Sequence, residues 1–311
     1  MKVSLRQLQI FCAVAEHGST TGGAAAVALS QSATSAAVNE LESVLETRLF
    51  DRVGKRLLLN ADGERLLPQA RQLLDGARQI ETSYRPGASG RPVRLRIGCS
   101  TTIGNYVLPR LLADLRKSFP HIHVDADVAN NAAIARKVAN FQLDMGLLEG
   151  PSHLPELHTE PWLTDELLIV TGAEHPLAKA SKVTRADLRR ADWLLREQGS
   201  GTREEVEALL LRYLSDLANT QQIGSSEAIK NTLVQGIGVS CLSRWVVSDL
   251  LSSGRLVALE SVLPPLARQF YLVKHRDKFI SQGLAGAWEQ CLDIGRDPEN
   301  AISKNRSVKQ E

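Results

Sequence analysis

The stretch from Gly18 to Glu42 constrains this chain more than any other. It reads Gly-Ser-Thr-Thr-Gly-Gly-Ala-Ala-Ala-Val-Ala-Leu-Ser-Gln-Ser-Ala-Thr-Ser-Ala-Ala-Val-Asn-Glu-Leu-Glu, a run that suits two short helices joined by a tight turn. Just upstream, Leu8, Phe11, Cys12 and Ala15 recur at spacings of three and four, one apolar helical face. Gly18 suits a left-handed cap for that first helix. Ala24, Ala25 and Ala28 are small enough to let the next helix approach closely. Ser30 stands where an N-cap hydroxyl would open a third helix. On that helix Ala33, Ala37, Leu41 and Leu45 are expected inside, with Gln31, Ser32, Thr34, Ser35 and Asn39 outside. Short polar side chains at a helix start suit the edges of bases in a major groove. Taken alone, the same groups would equally solvate an ordinary surface helix.

The next segment shifts the balance. Leu49 to Asn60 has the pattern of a β-hairpin turning at Gly54. Arg48, Arg52, Lys55 and Arg56 against Asp51 give it a local charge of +3. Phosphate contacts from such a cluster fix register and supply salt-sensitive affinity without reading sequence. Bulk charge does not announce a nucleic-acid binder: the chain carries only +2 overall, and residues 1–90 hold ten Lys/Arg against nine Asp/Glu. The candidate DNA contacts are therefore local: Gln31, Ser32, Thr34, Ser35, Asn39, Arg52, Lys55 and Arg56.

The run Ala24-Ala25, Leu29-Ser30-Gln31-Ser32, Ser35, Leu41-Glu42, Leu45, Leu49-Phe50 and Arg52 resembles the winged helix-turn-helix of LysR-type transcriptional regulators. Family-like features continue over essentially the whole chain. Gly22-Gly23 departs from the better helix formers usual in the second helix, and Thr47 from a customary glycine. Glycine inside a helix costs roughly 0.5–1 kcal/mol against alanine, so a somewhat loose DNA-binding domain is expected.

Three parts are expected: a winged helix-turn-helix over 1–60, a linker or dimerisation helix and hinge over 61–90, and an effector-binding domain over 91–296. In the helix, from about 61 to 84, Leu66, Ala70, Leu73, Ala77, Ile80 and Tyr84 form an a/d-like seam, and Pro68 should bend or fray its start. An amphipathic helix packed on its own chain explains the seam as well. The resemblance implies a homodimer, with a tetramer as a further step. The segment 85–92 reads as a hinge, and the polar, basic tail 297–311 is expected to be disordered.

Beyond the hinge, strand and helix alternate: strands at 93–98, 121–128 and 144–148 with helices at 105–118 and 132–141. A second unit has strands at 166–171, 193–195, 221–224 and 239–242, with helices at 185–190, 203–213, 227–235 and 244–252. A strand at 269–274 and a helix at 280–291 return to the first. The expected fold class is α/β, with two lobes: lobe I about 91–163 and 268–296, lobe II about 164–267. The resemblance implies a periplasmic-binding-protein-like domain.

Ligands of open parallel sheets bind beyond the carboxyl ends of strands, where helices start. Such exits carry Ser100-Thr101-Thr102, Glu149-Gly150, Gly199-Ser200-Gly201-Thr202-Arg203 and Gly224-Ser225-Ser226. Hydroxyls and glycines at helix starts favour a small anion, although Ser, Thr and Gly are also ordinary capping residues. The family resemblance picks Ser100, Thr101, Thr102 and Thr202, with Ser226, as effector contacts. Gly201 belongs to the same loop. Glu149 is either an acceptor for a protonated ligand or a structural acid, and Arg203 either pairs with an anion or solvates its helix. The stretches 100–106, 149–151, 160–163, 199–204 and 226–230 resemble one branch of the family, related to its sulfur-responsive members. That resemblance makes sulfite or sulfate the leading effector.

Cys12, Cys99, Cys241 and Cys291 are widely separated and each lies in an apolar context, so four buried free thiols are expected, with no metal. No P-loop, dinucleotide fingerprint, Gly-x-Ser-x-Gly or His-Glu-x-x-His occurs, and no catalytic residue is assigned. No cofactor beyond the effector is implied. A small-molecule carrier without regulatory role is the other reading, which the first sixty residues disfavour. No apolar run approaches the ~18 residues of a membrane span, so a cytoplasmic protein is expected. Its partners would be double-stranded promoter DNA, a second copy of itself and the effector, with RNA polymerase a further candidate and no membrane.

Overall fold

The computed structural model describes residues 2–54, 56–83 and 93–296. Lys55, Tyr84, the expected hinge at 85–92 and the tail at 297–311 lie outside the described residues. The chain divides into two units, one of residues 1–91 with the short segments 139–142 and 277–281, the other of the remainder.

In the first unit each helix is delimited by its own side chains. Ser4 opens α1 (Leu5–His17) with a capping box shared with Gln7, and Gly18 ends it at φ 63°, its N–H donating to Val14 O. Ser19 caps α2 (Thr20–Ala26) and Ser30 caps α3 (Gln31–Leu45), each accepting from an N–H three residues on. The turn between these helices passes through Ala28 at φ 54°. β1 (Phe50–Val53) and β2 (Arg56–Leu59) pair antiparallel around Gly54, with Phe50 opposite Leu59. Asn60 then opens α4 (Ala61–Ser83), its Oδ1 accepting from Gly63 N–H at 2.9 Å. Leu8, Phe11, Val14, Val38, Leu41, Leu49 and Phe50 form the core. Each such side chain contributes about 1.5–3 kcal/mol when buried.

Several expectations change here. The inward face of α3 is Thr34, Val38 and Leu41, while Ala33 is exposed and Ala37 half-buried. The reason is geometric. Steps of four residues drift by about 40° each on a 3.6-residue helix, so a 33-37-41-45 set walks around the helix whereas 34-38-41-45 stays on one side. On α1, Ile10, Ala13 and Val14 join Leu8 and Phe11 inside, and Cys12 is only half-buried. The Gly22-Gly23 pair has a packing cause rather than signalling looseness: a Cβ on Gly23 would lie 2.9 Å from both Val14 Cα and Val14 N. Along α4, Leu66, Leu67, Ala70 and Leu74 pack onto this unit's own core, whereas Leu73 and Ile80 are exposed. The helix continues through Pro68.

The second unit is built on one nine-stranded sheet. Its elements run β3 (Val93–Ser100), α5 (Thr101–Tyr106), α6 (Leu108–Ser118), β4 (Ile122–Ala129), α7 (Asn131–Ala139), β5 (Met145–Glu149) and β6 (Leu157–Gly172). They continue with α8 (Arg185–Arg190), β7 (Asp192–Leu195), α9 (Gly201–Leu214), β8 (Asn219–Gln222), α10 (Ser226–Val234), β9 (Val239–Ser243) and α11 (Arg244–Ser252). β10 (Leu256–Ala258), β11 (Leu266–His275) and α12 (Gln282–Arg296) complete it. The strand order is β4-β3-β5-β11-β6-β9-β7-β8, with β10 on β6. Parallel strands lie at both ends of this order, β3 with β4 and β5, and β7 with β8 and β9. The antiparallel pair β6 and β11 joins the halves, and its register shifts between Gln269 and Tyr271. Two lobes thus share two crossing strands, as the α/β alternation predicts. Leu95, Ile97, Leu111, Met145, Phe270 and Trp288 fill lobe I, and Trp193, Val206, Leu210 and Val239 lie in lobe II.

The long strand β6 reaches back to Leu157, well before the expected start at 166. Pro161 lacks an N–H and argues against a strand by pattern; here it lies opposite Tyr271, beside the register shift. The helix expected over 105–118 starts earlier and divides at Val107 into α5 and α6, with Pro109 in the first turn of α6, where a missing donor is tolerated. Among the described residues no helix is long and apolar enough to cross a membrane.

Candidate functional sites

The first candidate site is the exposed start of α3 with the β-hairpin. Gln31, Ser32 and Asn39 are exposed and Ser35 half-buried, so the small polar helical tip expected from sequence is present. Gln31 Nε2 donates to Thr20 Oγ1 at 3.0 Å, which holds the amide over α2. Arg52 and Arg56 are exposed on the hairpin. Lys55 lies outside the described residues. Thr34 is corrected: it is fully buried, and its hydroxyl has no hydrogen-bond partner, so it faces the interior and not a ligand. Arg48 is exposed and pairs with Glu42 at 3.3 Å. Glu42 is buried, and its other oxygen accepts from Leu49 N–H at 2.8 Å, so this carboxylate fastens the hairpin to the end of α3.

The second site lies in the other unit, where β3, β5, β7, β11, α9 and α10 converge. Arg268, on β11, is completely buried. Its Nε donates to Asp165 at 2.7 Å and its Nη1 to Glu149 at 2.8 Å and Thr202 Oγ1 at 3.0 Å. Glu149, at the end of β5, also accepts from Thr102 N–H at 2.7 Å and from Thr202 Oγ1 at 2.5 Å. Burial alone would raise the Glu149 pKa, but Arg268, Thr202 and the Thr102 N–H outweigh it and hold the carboxyl below its usual range. Burial dominates at Asp165 and pushes its pKa up, despite Arg268 and Ser243. Glu149, Thr102 and Thr202 are therefore committed to a buried ionic knot joining both lobes, and Ser100 is buried beside it. Gly201 belongs to the same joint, because a Cβ there would lie 2.0 Å from Glu149 O.

Next to this knot Arg196, the residue after β7, is almost fully buried. Its Nη1 donates to Ser226 Oγ at 2.8 Å, at the start of α10, and its Nη2 to Thr101 Oγ1 at 3.2 Å, at the start of α5. The same guanidinium forks onto both oxygens of Glu197, at 2.8 and 2.9 Å. Thr101 and Ser226 each receive an Arg196 N–H on oxygen, which leaves their own O–H groups as donors. A fixed cation and two hydroxyl donors from two lobes can recognise an oxygen-rich acceptor. Arg203 instead pairs with Glu207 at 2.9 Å and bonds Arg196 O and Gln222 within lobe II, as its helix-solvating alternative requires.

Of the effector contacts expected from sequence, Thr101 and Ser226 thus meet at one point, around a cation the sequence reading passed over. Arg196 follows the strand expected at 193–195, and a charged residue at a strand exit was the available signal. Arg268 was hidden at the edge of the strand expected at 269–274. Farther along α10, Lys230 bonds Tyr106 of lobe I at 3.4 Å and Glu227 at 2.9 Å, and Tyr106 also donates to Glu227. Among the described residues no group of three or more His, Cys, Asp or Glu could hold a metal. The four cysteines are free thiols, and burial raises each: Cys12 to about 11, Cys241 to about 12, Cys99 and Cys291 further still.

Comparison with known proteins fixes what these sites belong to. Residues 5–64 match the family described as bacterial regulatory helix-turn-helix protein, lysR family, and residues 88–295 match the LysR substrate binding domain. The HTH-type transcriptional regulator YeiE of Escherichia coli (strain K12) is 42% identical over 300 residues, covering 96% of this chain and 99% of that protein. A full-length cysteine-to-aspartate variant of OxyR from Pseudomonas aeruginosa has the same fold, at a TM-score of 0.75, 22% identity and 95% coverage of each chain. So has full-length CbnR complexed with its target DNA, at a TM-score of 0.64 and 18% identity over 94% of this chain and 100% of that one. The chain belongs to the LysR family of ligand-responsive, DNA-binding transcriptional regulators and is not an enzyme.

Proposed function

We propose that this regulator responds to a small oxyanion, with sulfite or sulfate the leading candidates, bound at Arg196, Thr101 and Ser226. The observation that carries this reading is the meeting of a nearly fully buried guanidinium with two hydroxyls from opposite lobes. Three donors so placed suit oxygen acceptors on one small ligand, because charge-assisted hydrogen bonds from a desolvated arginine are the strong ones. Oxyanion occupancy would favour one arrangement of the lobes and thereby shift DNA binding, a population shift in which ligand selects among states. The protein would work in the cytoplasm as a homodimer or tetramer on promoter DNA with paired half-sites, with RNA polymerase as a further partner.

Calorimetric titration of the full chain with sulfite, sulfate and small carboxylates tests the effector. Binding that disappears in Arg196→Gln is expected; anion binding that survives this substitution would overturn the site. Gel shifts with DNA upstream of the protein's own gene test the other site. Arg52→Ala should weaken binding to all sequences and lower the salt slope by about 1, whereas Gln31→Ala and Ser35→Ala should relax sequence preference. Unchanged binding in all three variants would place the DNA contact elsewhere.

A further inference from the structure

The Arg196 fork is already held by Glu197, the next residue in the chain. We infer that Glu197 is a tethered stand-in for the effector, and that an oxyanion acts by exchanging with its carboxylate on Arg196. The inference rests on the anion reading above and specifies how that site is regulated. The geometry is asymmetric in the way an exchange requires. The Arg196 side chain is 3% exposed and that of Glu197 is 23% exposed. The cation is fixed between Ser226 and Thr101, while the carboxylate stands at the outer side and can turn to water without opening the core.

Both Glu197 oxygens face the guanidinium, one to Nε and one to Nη2. A ligand replaces them without leaving a buried donor unpaired only if it presents two oxygens on one central atom. A third oxygen can then accept from the O–H groups of Thr101 and Ser226. This selects sulfite, sulfate and similar oxyanions over chloride, which offers no paired acceptors, and over neutral ligands, which would leave the arginine charge unbalanced. Asn130, which stands just before α7 in lobe I, is among the groups that favour the charged form of Glu197. Burial would raise the Glu197 pKa, but its hydrogen bonds, Arg196's charge and Asn130 hold it below the usual range, so the stand-in is ionised at neutral pH. Its release therefore withdraws a charge from beside Asn130 of lobe I at the moment the oxyanion binds. Nearby, Ala132 N–H donates to Gly199 O at 3.2 Å, so the same loop is the one that would feel the change.

The test is calorimetric titration of the full-length protein, Glu197→Gln and Arg196→Gln with freshly prepared sulfite, with sulfate and with chloride at constant ionic strength. The Glu197→Gln substitution keeps the side chain's size and one amide oxygen as acceptor but cancels the competing charge. This variant is expected to bind sulfite or sulfate about tenfold tighter than wild type, the worth of one charge-assisted hydrogen bond; detectable binding in the variant alone supports the exchange equally. Chloride should give no heat. Oxyanion binding that is lost in Arg196→Gln yet equally tight in Glu197→Gln and wild type overturns the exchange and leaves the anion site standing. No oxyanion binding to either protein, or binding indifferent to Arg196→Gln, overturns the anion site and the exchange together.

Discussion

Arg268 carries one positive charge and faces two buried carboxylates, so the two acids cannot be equivalent. Glu149 has Arg268, Thr202 and the Thr102 N–H bonded to it and is held ionised, whereas burial wins at Asp165. Glu149→Gln breaks a buried ion pair and leaves the Arg268, Thr202 and Thr102 donors facing a neutral amide, and should cost about 3–5 kcal/mol. Asp165→Asn should cost distinctly less, because burial already disfavours its charged form. Urea unfolding followed by tryptophan fluorescence suits this comparison, since all four tryptophans lie beyond residue 160. The pH dependence has opposite signs at the two sites. Glu149's folded pKa is depressed, so its contribution is full above an unfolded value of about 4.3 and is lost as pH falls through the folded one. Asp165's folded pKa is raised, so its ionisation destabilises as pH rises from about 3.9 through the folded value. Wild type should therefore gain on Asp165→Asn as pH is lowered from 7 toward 4; a constant difference would show that Asp165 is an ordinary carboxylate. Thr34 is the counterpart in the first unit. Its buried hydroxyl has no partner, so Thr34→Val should stabilise by about 1 kcal/mol, read as slower amide exchange along α3 with DNA affinity unchanged. Slower exchange accompanied by lost DNA binding would return Thr34 to the interface. At this scale the sequence showed hydroxyls at strand exits but not the charges behind them, because Arg196 and Arg268 are placed by partners such as Ser226 and Glu149, 30 and 119 residues away.

Elements were more legible than residues, because caps and periodicity are local. Gly18, Ser30 and Gly54 mark boundaries in the sequence and in the fold alike. Two kinds of feature were not local. The crossing strand β6 runs through Pro161 and is held by β11, more than a hundred residues on. The Gly22-Gly23 pair looked like a defect in α2, since propensity is judged one helix at a time, and the cause lies in α1. The difference has a measurable sign. On propensity alone Gly23→Ala should stabilise by about 1 kcal/mol. With Val14 backbone atoms 2.9 Å from the new Cβ, the expectation is a loss on the order of 1–3 kcal/mol, the usual cost of overpacking. Amide exchange in α1 and α2 decides between them: faster exchange follows from contact between the helices, slower exchange from propensity. Gly201→Ala tests the same principle in the second unit, where the new Cβ would strike Glu149 O.

A regulator of this family must link two occupancies, DNA at one site and effector at another, and that linkage obeys a rule independent of how the link is built. If an oxyanion changes the affinity for DNA by some factor, DNA must change the affinity for the oxyanion by the same factor. Coupling energies of about 1–3 kcal/mol are usual, or roughly 5- to 150-fold. The expectation is that the ratio of DNA dissociation constants with and without saturating sulfite equals the ratio of sulfite constants with and without operator DNA. Both are read on the full chain at one salt concentration, since phosphate contacts make DNA affinity steeply salt-dependent. Arg196→Gln should bind DNA with the effector-free affinity of wild type and show a ratio of one in both directions. Arg52→Ala should shift DNA affinity while leaving the ratio intact, because a phosphate contact adds equally to every state of the protein. Unequal ratios would mean that assembly between copies changes during the titration or that one ligand was not saturating. A ratio of one in wild type, with both ligands bound, would make the oxyanion a passenger rather than a signal.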